Sequence, residues 1–414
     1  MKKKLGCLIA LLCVASIPKV CAEVFPVQAE MGGYNPGAFN KTEIQQINQY
    51  QVDKSYVQSL DHLTDDERIY DATVEENIAR EGMLYNPHFI VEKINFEGNT
   101  EIPTAELEKL ALENTNFSNT NKLGGAMQVE NTGWTMAGLI AHTSGVPLKL
   151  SALKTLDKNF LPGVYSLGDI LKDNGYNNYF MIGSDARFGG RENYFKNHGS
   201  YTIYDYYYAI DNNFIESDYH VWWGYEDYKL FNHAKEKIKE AAKLDKPFNF
   251  TILTVDTHFT DGYMDDSCKD VFDSKYANSL YCSDSKIYSF VKWIQKQDFY
   301  KDTVIIITGD HLTMQYDFYE DNDYQRTIYN TIINSKLIPK KEKNRLFSSF
   351  DMFPTTLASL GVEIEGNRLG LGVNLYSEEE TLIEKLGYDK LNKEIMKKSV
   401  YYIILIKKRI DKLF

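Results

Sequence analysis

The feature that most constrains this chain is the apolar run Val304–Ile307, which stops at Thr308-Gly309-Asp310-His311. A short β-branched run bounded by glycine reads as a strand buried on both faces. Ending it in an adjacent carboxylate and imidazole puts two metal-ligand types at the mouth of a sheet. A second stretch, Asn131–Leu148 (NTGWTMAGLIAHTSGVPL), places Thr132 just before a helical pattern. Met136, Leu139 and Ile140 share one face of that helix, and Gly145 stops it. A threonine there is either a helix N-cap or a nucleophile whose hydroxyl is activated by a metal and the helix dipole. Thr135, in the same turn, is the second candidate nucleophile. The two stretches read as halves of one site.

Between them the chain alternates helices and strands. Helices are expected over Ala105–Leu112, Ser166–Asn174, Asp227–Leu244 and Ser285–Gln297. Strands are expected near Ala126–Val129 and over Asn178–Ile182, Phe248–Val255 and Thr303–Thr308. This order argues an α/β fold with a largely parallel sheet covered by helices on both faces. Ligands of such sheets collect at the carboxyl ends of the strands. Thr132, the loop 184–191, His258 and Asp310-His311 all fall at that edge.

An apolar content of 43% over 414 residues supplies a sizeable core. A net charge of −12 without a basic stripe argues against nucleic acid as a partner. The N-terminus joins Lys2–Lys4 to an apolar run, Leu5–Ile17, with small residues before Glu23. That is the pattern of a cleaved export signal over residues 1–22, since the run is short for a membrane span. Cys7, Cys13 and Cys21 leave with it, and Cys268 and Cys282 remain as a pair in an oxidising compartment. A disulfide is the expected use, contributing on the order of 3 kcal/mol. Residues 23–87 are polar and read as a partly helical linker.

In NPHFIVEKINFEGNTEIPTAELEKLA, Phe89, Val91, Ile94 and Phe96 partly alternate with polar residues up to a turn at Gly98-Asn99. Residues 88–106 resemble the opening strand and helix of a polypeptide-transport-associated (POTRA) domain. A helical, lysine-rich tail over 377–414 ends in Tyr401–Ile406, too short an apolar patch to span a bilayer. Packing on the body is the expected use of that patch, with contact to a membrane surface the other reading.

The series TGWTMAGLIA, SLGDILKDNGYNNYFM, RFGGRENYFKNHG, TVDTHFTDGY and ITGDHLTM resembles the periplasmic phosphoglycerol transferases that decorate osmoregulated glucans. It resembles more distantly the lipoteichoic acid synthases and phosphoethanolamine transferases, all of the alkaline phosphatase/sulfatase superfamily. The likeness runs from about Leu107 to Tyr376, so residues 107–376 are the expected transferase domain. It implies a sulfatase-like sheet and a covalently phosphorylated nucleophile, matched here by Thr132. Asp310, His311 and Thr132 match the family's metal ligands. His258 and Arg191, with Arg187 as the alternative to Arg191, match residues that hold the phosphate headgroup. In the family the first strand ends in a glutamate ligand, and no strand here ends that way. The first strand is therefore expected to be missing or replaced, with Phe89–Phe96 as the substitute and Glu92 and Glu97 as the nearest carboxylates.

The expected activity is an exported, metal-dependent transfer of a phosphoglycerol-type headgroup from a phospholipid to a glycan or polyol. Manganese is the first choice of metal, with magnesium and zinc as alternatives. Two other outcomes are a phosphodiesterase- or sulfatase-type hydrolase of the same fold, and a catalytically impaired chimera lacking the first metal ligand.

Overall fold

The computed structural model describes residues 6–11, 120–121, 123–155, 160–315, 318, 325–341 and 345–407. The chain begins with strand β1 (Gly6–Leu11) and a short β2 (Thr120–Asn121). Helix α1 (Thr135–Ser144), helix α2 (Leu167–Asp173) and strand β3 (Asn177–Ile182) follow. Next come α3 (Arg191–Asn197), β4 (Thr202–Tyr204), α4 (Tyr206–Asp211), α5 (Asp227–Lys243) and β5 (Phe248–Leu253). Helix α6 (Lys275–Gln295) leads to β6 (Thr303–Thr308) and β7 (Asn330–Ile333). Helix α7 (Met352–Ser359) and a small hairpin, β8 (Arg368–Leu369) with β9 (Gly372–Val373), precede α8 (Leu382–Leu386), α9 (Tyr388–Met396) and α10 (Val400–Lys407).

Seven strands form one sheet in the order β2-β7-β6-β1-β5-β3-β4. Strands β6, β1, β5, β3 and β4 pair in parallel, and β7 is antiparallel to both of its neighbours. Side chains alternate across a strand, so a sheet covered on both sides needs apolar residues at every position. Strand β6 does this: Val304 and Ile306 enter one core, Ile305 and Ile307 the other. Strand β3 divides likewise, with Phe180 and Ile182 on the first face and Tyr179 and Met181 on the second. The first core is closed by Met136, Leu139 and Ile140 of α1, Leu167 and Leu171 of α2 and Leu357 of α7. The second is closed by Leu230, Phe231 and Ile238 of α5 and by Ile287, Phe290 and Ile294 of α6.

Most expected elements form within a residue or two. Helix α2 opens on a capping box between Ser166 and Asp169. Helix α6 begins ten residues before the expected start: Ser274 caps it, and Tyr276, Ala277 and Cys282 continue its buried face. The strand expected near Ala126–Val129 is reduced to bridges from Ala126 to Ile328 and from Met127 to Ser348. The tail packs on the body, with Tyr402, Leu405 and Ile406 in the first core.

The slot between β5 and β6, expected to lack its strand, is held by β1. Cys7 pairs with Asn249 on one side and Val304 on the other. Gly6–Leu11 lies inside the run that reads as the apolar part of an export signal. As a middle strand it belongs to the folded domain, so cleavage after Ala22 and an intact β1 exclude one another. Phe89–Phe96, the linker and the helix expected at Ala105–Leu112 lie outside the described residues.

Candidate active site

The site forms where β6 ends. Asp310 is fully buried and His311 is 7% exposed. The turn is fixed locally: the His311 amide donates to Asp310 Oδ1 at 2.9 Å, and the His311 ring bonds the Leu312 carbonyl through Nδ1 at 2.7 Å. A carbonyl only accepts, so Nδ1 carries a proton and Nε2 is the ring nitrogen left to face the site. Nε2 lies 3.4 Å from Asp310 Oδ2 and 3.4 Å from the Thr135 hydroxyl.

Thr135 is the first residue of α1, where unpaired backbone N–H groups and the helix dipole favour negative charge. Thr132 is placed differently. It is fully buried, and its hydroxyl donates to the Val129 carbonyl at 2.7 Å, closing a local turn. It does not cap the helix, whose N-cap is Trp134 with no side-chain bond. Of the two threonines, the structure brings Thr135 to His311.

Two further residues of α1 share this face. Gly138 abuts the turn so closely that a Cβ would come within 2.2 Å of the Asp310 carbonyl oxygen. His142, two turns beyond Thr135, bonds the Gly309 carbonyl through Nε2 at 3.1 Å. Burial pushes its pKa down to about 4, against the pull of Asp310 and of the Gly309 bond. Sequence reading passed over His142, although its helical spacing from Thr135 was the available signal.

Arg191 opens α3 and is buried, with Nη2 donating to the Asp185 carbonyl at 2.8 Å and its cation over the Phe188 ring. Burial lowers its pKa to about 10, while the charges of Asp185, Asp205 and Asp310 act to raise it. Among the described residues its Nε has no hydrogen-bond partner. Arg187 is instead exposed and committed to Asp185, which it grips through Nε and Nη2 at 2.8–3.1 Å. The guanidinium facing the site is therefore that of Arg191.

His258 bonds the Phe259 carbonyl through Nδ1 at 2.6 Å, leaving Nε2 as an acceptor. Burial drives its pKa down to about 4, the Phe259 bond opposes this, and His311, Asp310 and Arg191 all act on it electrostatically. Trp223 packs on His258 with centroids 4.4 Å apart, and Phe188 lies against Trp223. Gly189 of the same loop borders Trp134, so half-buried aromatic rings line this side.

Asp310, His311 and Thr135 together offer a carboxylate oxygen, an imidazole nitrogen and a hydroxyl oxygen. That is a mixed set suited to a divalent cation, one donor short of four. Glu92 and Glu97 lie outside the described residues. Elsewhere Asp265, Cys268 and Cys282 cluster, but the cysteines form the expected disulfide, spanning 14 residues with Cα atoms 5.2 Å apart, and Lys286 occupies Asp265. His198 is structural: its ring bonds the Phe160 carbonyl at 2.7 Å and Asp169 at 3.2 Å.

Residues 88–362 match the sulfatase family model. The match opens at residue 88, so the stretch likened to a transport-associated domain falls inside it and gains no separate support. Phosphoglycerol transferase I of Escherichia coli is 34% identical over 224 residues, covering 51% of this chain and 28% of that protein. The chain thus spans little more than a quarter of the length of this curated relative. The lipoteichoic acid synthase LtaP from Listeria monocytogenes superposes with a TM-score of 0.50 at 17% identity, over 64% of this chain and 69% of that one. The C-terminal periplasmic domain of EcEptC from Escherichia coli, in complex with Zn, gives a TM-score of 0.46 at 14% identity, over 72% and 87%.

Proposed function

This chain belongs to the sulfatase family, and from that premise we propose that it transfers a phosphoglycerol-type headgroup from a phospholipid to a glycan or polyol, with Thr135 as nucleophile. The observation that carries this reading is the Thr135 hydroxyl at the N-terminus of α1, 3.4 Å from His311 Nε2 and beside buried Asp310. The 34% identity to phosphoglycerol transferase I supports the headgroup chemistry.

Asp310, His311 and Thr135 would hold a divalent cation, manganese first, with magnesium and zinc as alternatives. Such an ion lowers the pKa of a hydroxyl and neutralises phosphate charge. Glu97 closes the alternating run Phe89–Phe96 within the family match, and it is our candidate for the remaining donor.

The chain's own residues do the rest. Arg191 pairs with the phosphodiester through the guanidinium edge its carbonyl contact leaves open. His258 Nε2 accepts from a glycerol hydroxyl. The bond between Thr135 Oγ1 and phosphorus forms as the bond from phosphorus to the diacylglycerol oxygen breaks, and the threonine proton ends on that alcohol. An acceptor hydroxyl then attacks phosphorus on the opposite side, displaces Thr135 and returns a proton to it. Trp223, Phe188 and Trp134 offer faces on which an acceptor sugar stacks. Export to the periplasm or cell surface is the setting where such donors and acceptors meet. Among the described residues no helix is long and apolar enough to cross a membrane.

The test is headgroup release from labelled phosphatidylglycerol, with metal content measured on the same samples. Thr135→Ala should abolish release while Thr132→Val retains it. Loss in Thr132→Val with retention in Thr135→Ala overturns the nucleophile. Glycerol phosphate released to water at the full rate, whatever acceptor is added, makes the protein a phosphodiesterase. A wild type that binds no metal and releases nothing makes it an inactive member of the fold.

A further inference from the structure

We infer that one face of α6 is a splint that sets the distance between the two site loops, and that Tyr276 is its principal positioning residue. The inference rests on the reading of His258 and His311 as site residues. Tyr276, Ser279, Cys282 and Lys286 recur at three- and four-residue spacing and share one helix face. Each meets the loop that follows β5 or the one that follows β6.

Tyr276 meets both. Its hydroxyl donates to the Thr257 carbonyl at 3.1 Å, one residue before His258. The same oxygen bonds the Thr313 hydroxyl at 2.6 Å, two residues after His311. The ring is 2% exposed, so this bridge is made in the interior, where a hydrogen bond is least exchangeable with water. A second tie lies beside it: the Asp261 amide donates to Gln315 Oε1 at 2.9 Å and Gln315 Nε2 returns a bond to Asp261 Oδ1 at 3.2 Å. Ser279 abuts Gly262, which has φ +63° and room for no Cβ. Further along, Cys282 is bonded to Cys268. Lys286 reaches Asp256 at 2.8 Å and Asp265 at 2.6 Å.

None of these groups touches the reacting atoms. Their joint effect is on the separation of His258 from His311, because both loops are referenced to the same rigid helix. A headgroup held by His258 and a nucleophile held beside His311 must sit within a narrow distance for in-line attack, and small errors there are costly. Tyr276 thereby acts on placement of the phosphate, not on its chemistry.

The test compares Tyr276→Phe and Thr313→Val with wild type, because each removes one hydroxyl and preserves the packing. The first readout is the ¹H–¹⁵N spectrum of the histidine rings, with His258→Gln and His311→Gln for assignment. The second is the dissociation constant for glycerol 1-phosphate by calorimetry. Tyr276→Phe should shift both His258 and His311 resonances in a protein that stays folded and weaken glycerol phosphate about fivefold to tenfold, the scale of one or two hydrogen bonds. Thr313→Val should move His311 more than His258. Resonances and affinity unchanged in both folded variants overturn the splint. A wild type whose histidines respond to Tyr276→Phe but which releases no headgroup would leave the splint standing and remove the transferase reading.

Discussion

The loops after β5 and after β6 leave the sheet on either side of β1, present a histidine to the same space, and are held by different physics. The β6 turn is short and self-bonded: Asp310 accepts the His311 amide, His311 bonds the Leu312 carbonyl, and α1 presses Gly138 and His142 against it. The β5 loop is longer and charged. Asp227, at the start of α5, accepts from the Val255 and Asp256 amides, while Lys286 joins Asp256 to Asp265 and a disulfide closes the far end. One loop is placed by close contact and by bonds within its own turn, the other by ion pairs and bonds to two helices and by a covalent tie. Reagents that act on charge or sulfur should therefore separate the two.

The largest effect should come at the contact side. Gly138→Val puts a branched side chain against the backbone of Asp310 and should cost about 4 kcal/mol or more by denaturant melt, with loss of headgroup release. Gly138→Ala tests the same clash with the smallest Cβ. A fully stable Gly138→Val would show that the turn is not held by close approach.

At the charged side, Lys286→Met leaves Asp256 and Asp265 without their cation. Asp256 is 1% exposed, and burial already lifts its pKa to about 6 against the pull of Lys286. The variant should lose about 3 to 4 kcal/mol, and His258 resonances should move more than those of His311. Equal movement of both histidines would erase the distinction drawn above.

Acid should act through helix α5. His233 of α5 is fully buried against Phe214, and burial lowers its pKa to about 4. Its folded-state value lies below the unfolded value, so its stability is intact above about pH 6.5 and is lost as pH falls toward 4. The loss is on the order of 3 kcal/mol, and His233→Phe should flatten that limb of the acid-unfolding curve. An unchanged curve would place the acid sensitivity elsewhere.

The smallest effect should come from the covalent tie. Reduction, or Cys268→Ser with Cys282→Ser, removes a 14-residue closure worth at most about 3 kcal/mol. It should weaken glycerol phosphate binding without touching the metal content set by Asp310 and His311. Metal loss on reduction would mean that the two loops are not separately held.

Much of this fold was legible because the signals were local. The apolar run Val304–Ile307 sits inside Thr303–Thr308, which became β6 with those bounds, and the helix expected over Ser166–Asn174 became α2. Asp310 and His311 stood out because a strand ended in them. Thr132 was ranked ahead of Thr135 because a threonine before a helix looks the same whichever way its hydroxyl turns, and the Thr132 bond to the Val129 carbonyl is visible only in the fold. Arg187 stayed open as the alternative to Arg191 for a similar reason, since its pairing with Asp185, two residues away, depends on turn geometry. Tyr276 and Lys286 were invisible, because their partners are loop carbonyls and carboxylates brought near only by the fold. The middle strand was not foreseen at Gly6–Leu11, because an apolar run serves a sheet and a membrane-targeting segment equally well.

That middle strand sets the order in which the molecule can assemble. Gly6–Leu11 lies far along the chain from its partners on both sides, β5 and β6. Contacts of such long range carry a high loop-closure cost and form slowly. Until β5 is in place β1 is an apolar segment without a partner, and until β6 joins, the partial sheet β4-β3-β5-β1 keeps one edge of β1 open. Both are sites for wrong pairing. Refolding of the full chain should thus be limited by closure of the sheet around β1, and its yield should fall steeply with protein concentration.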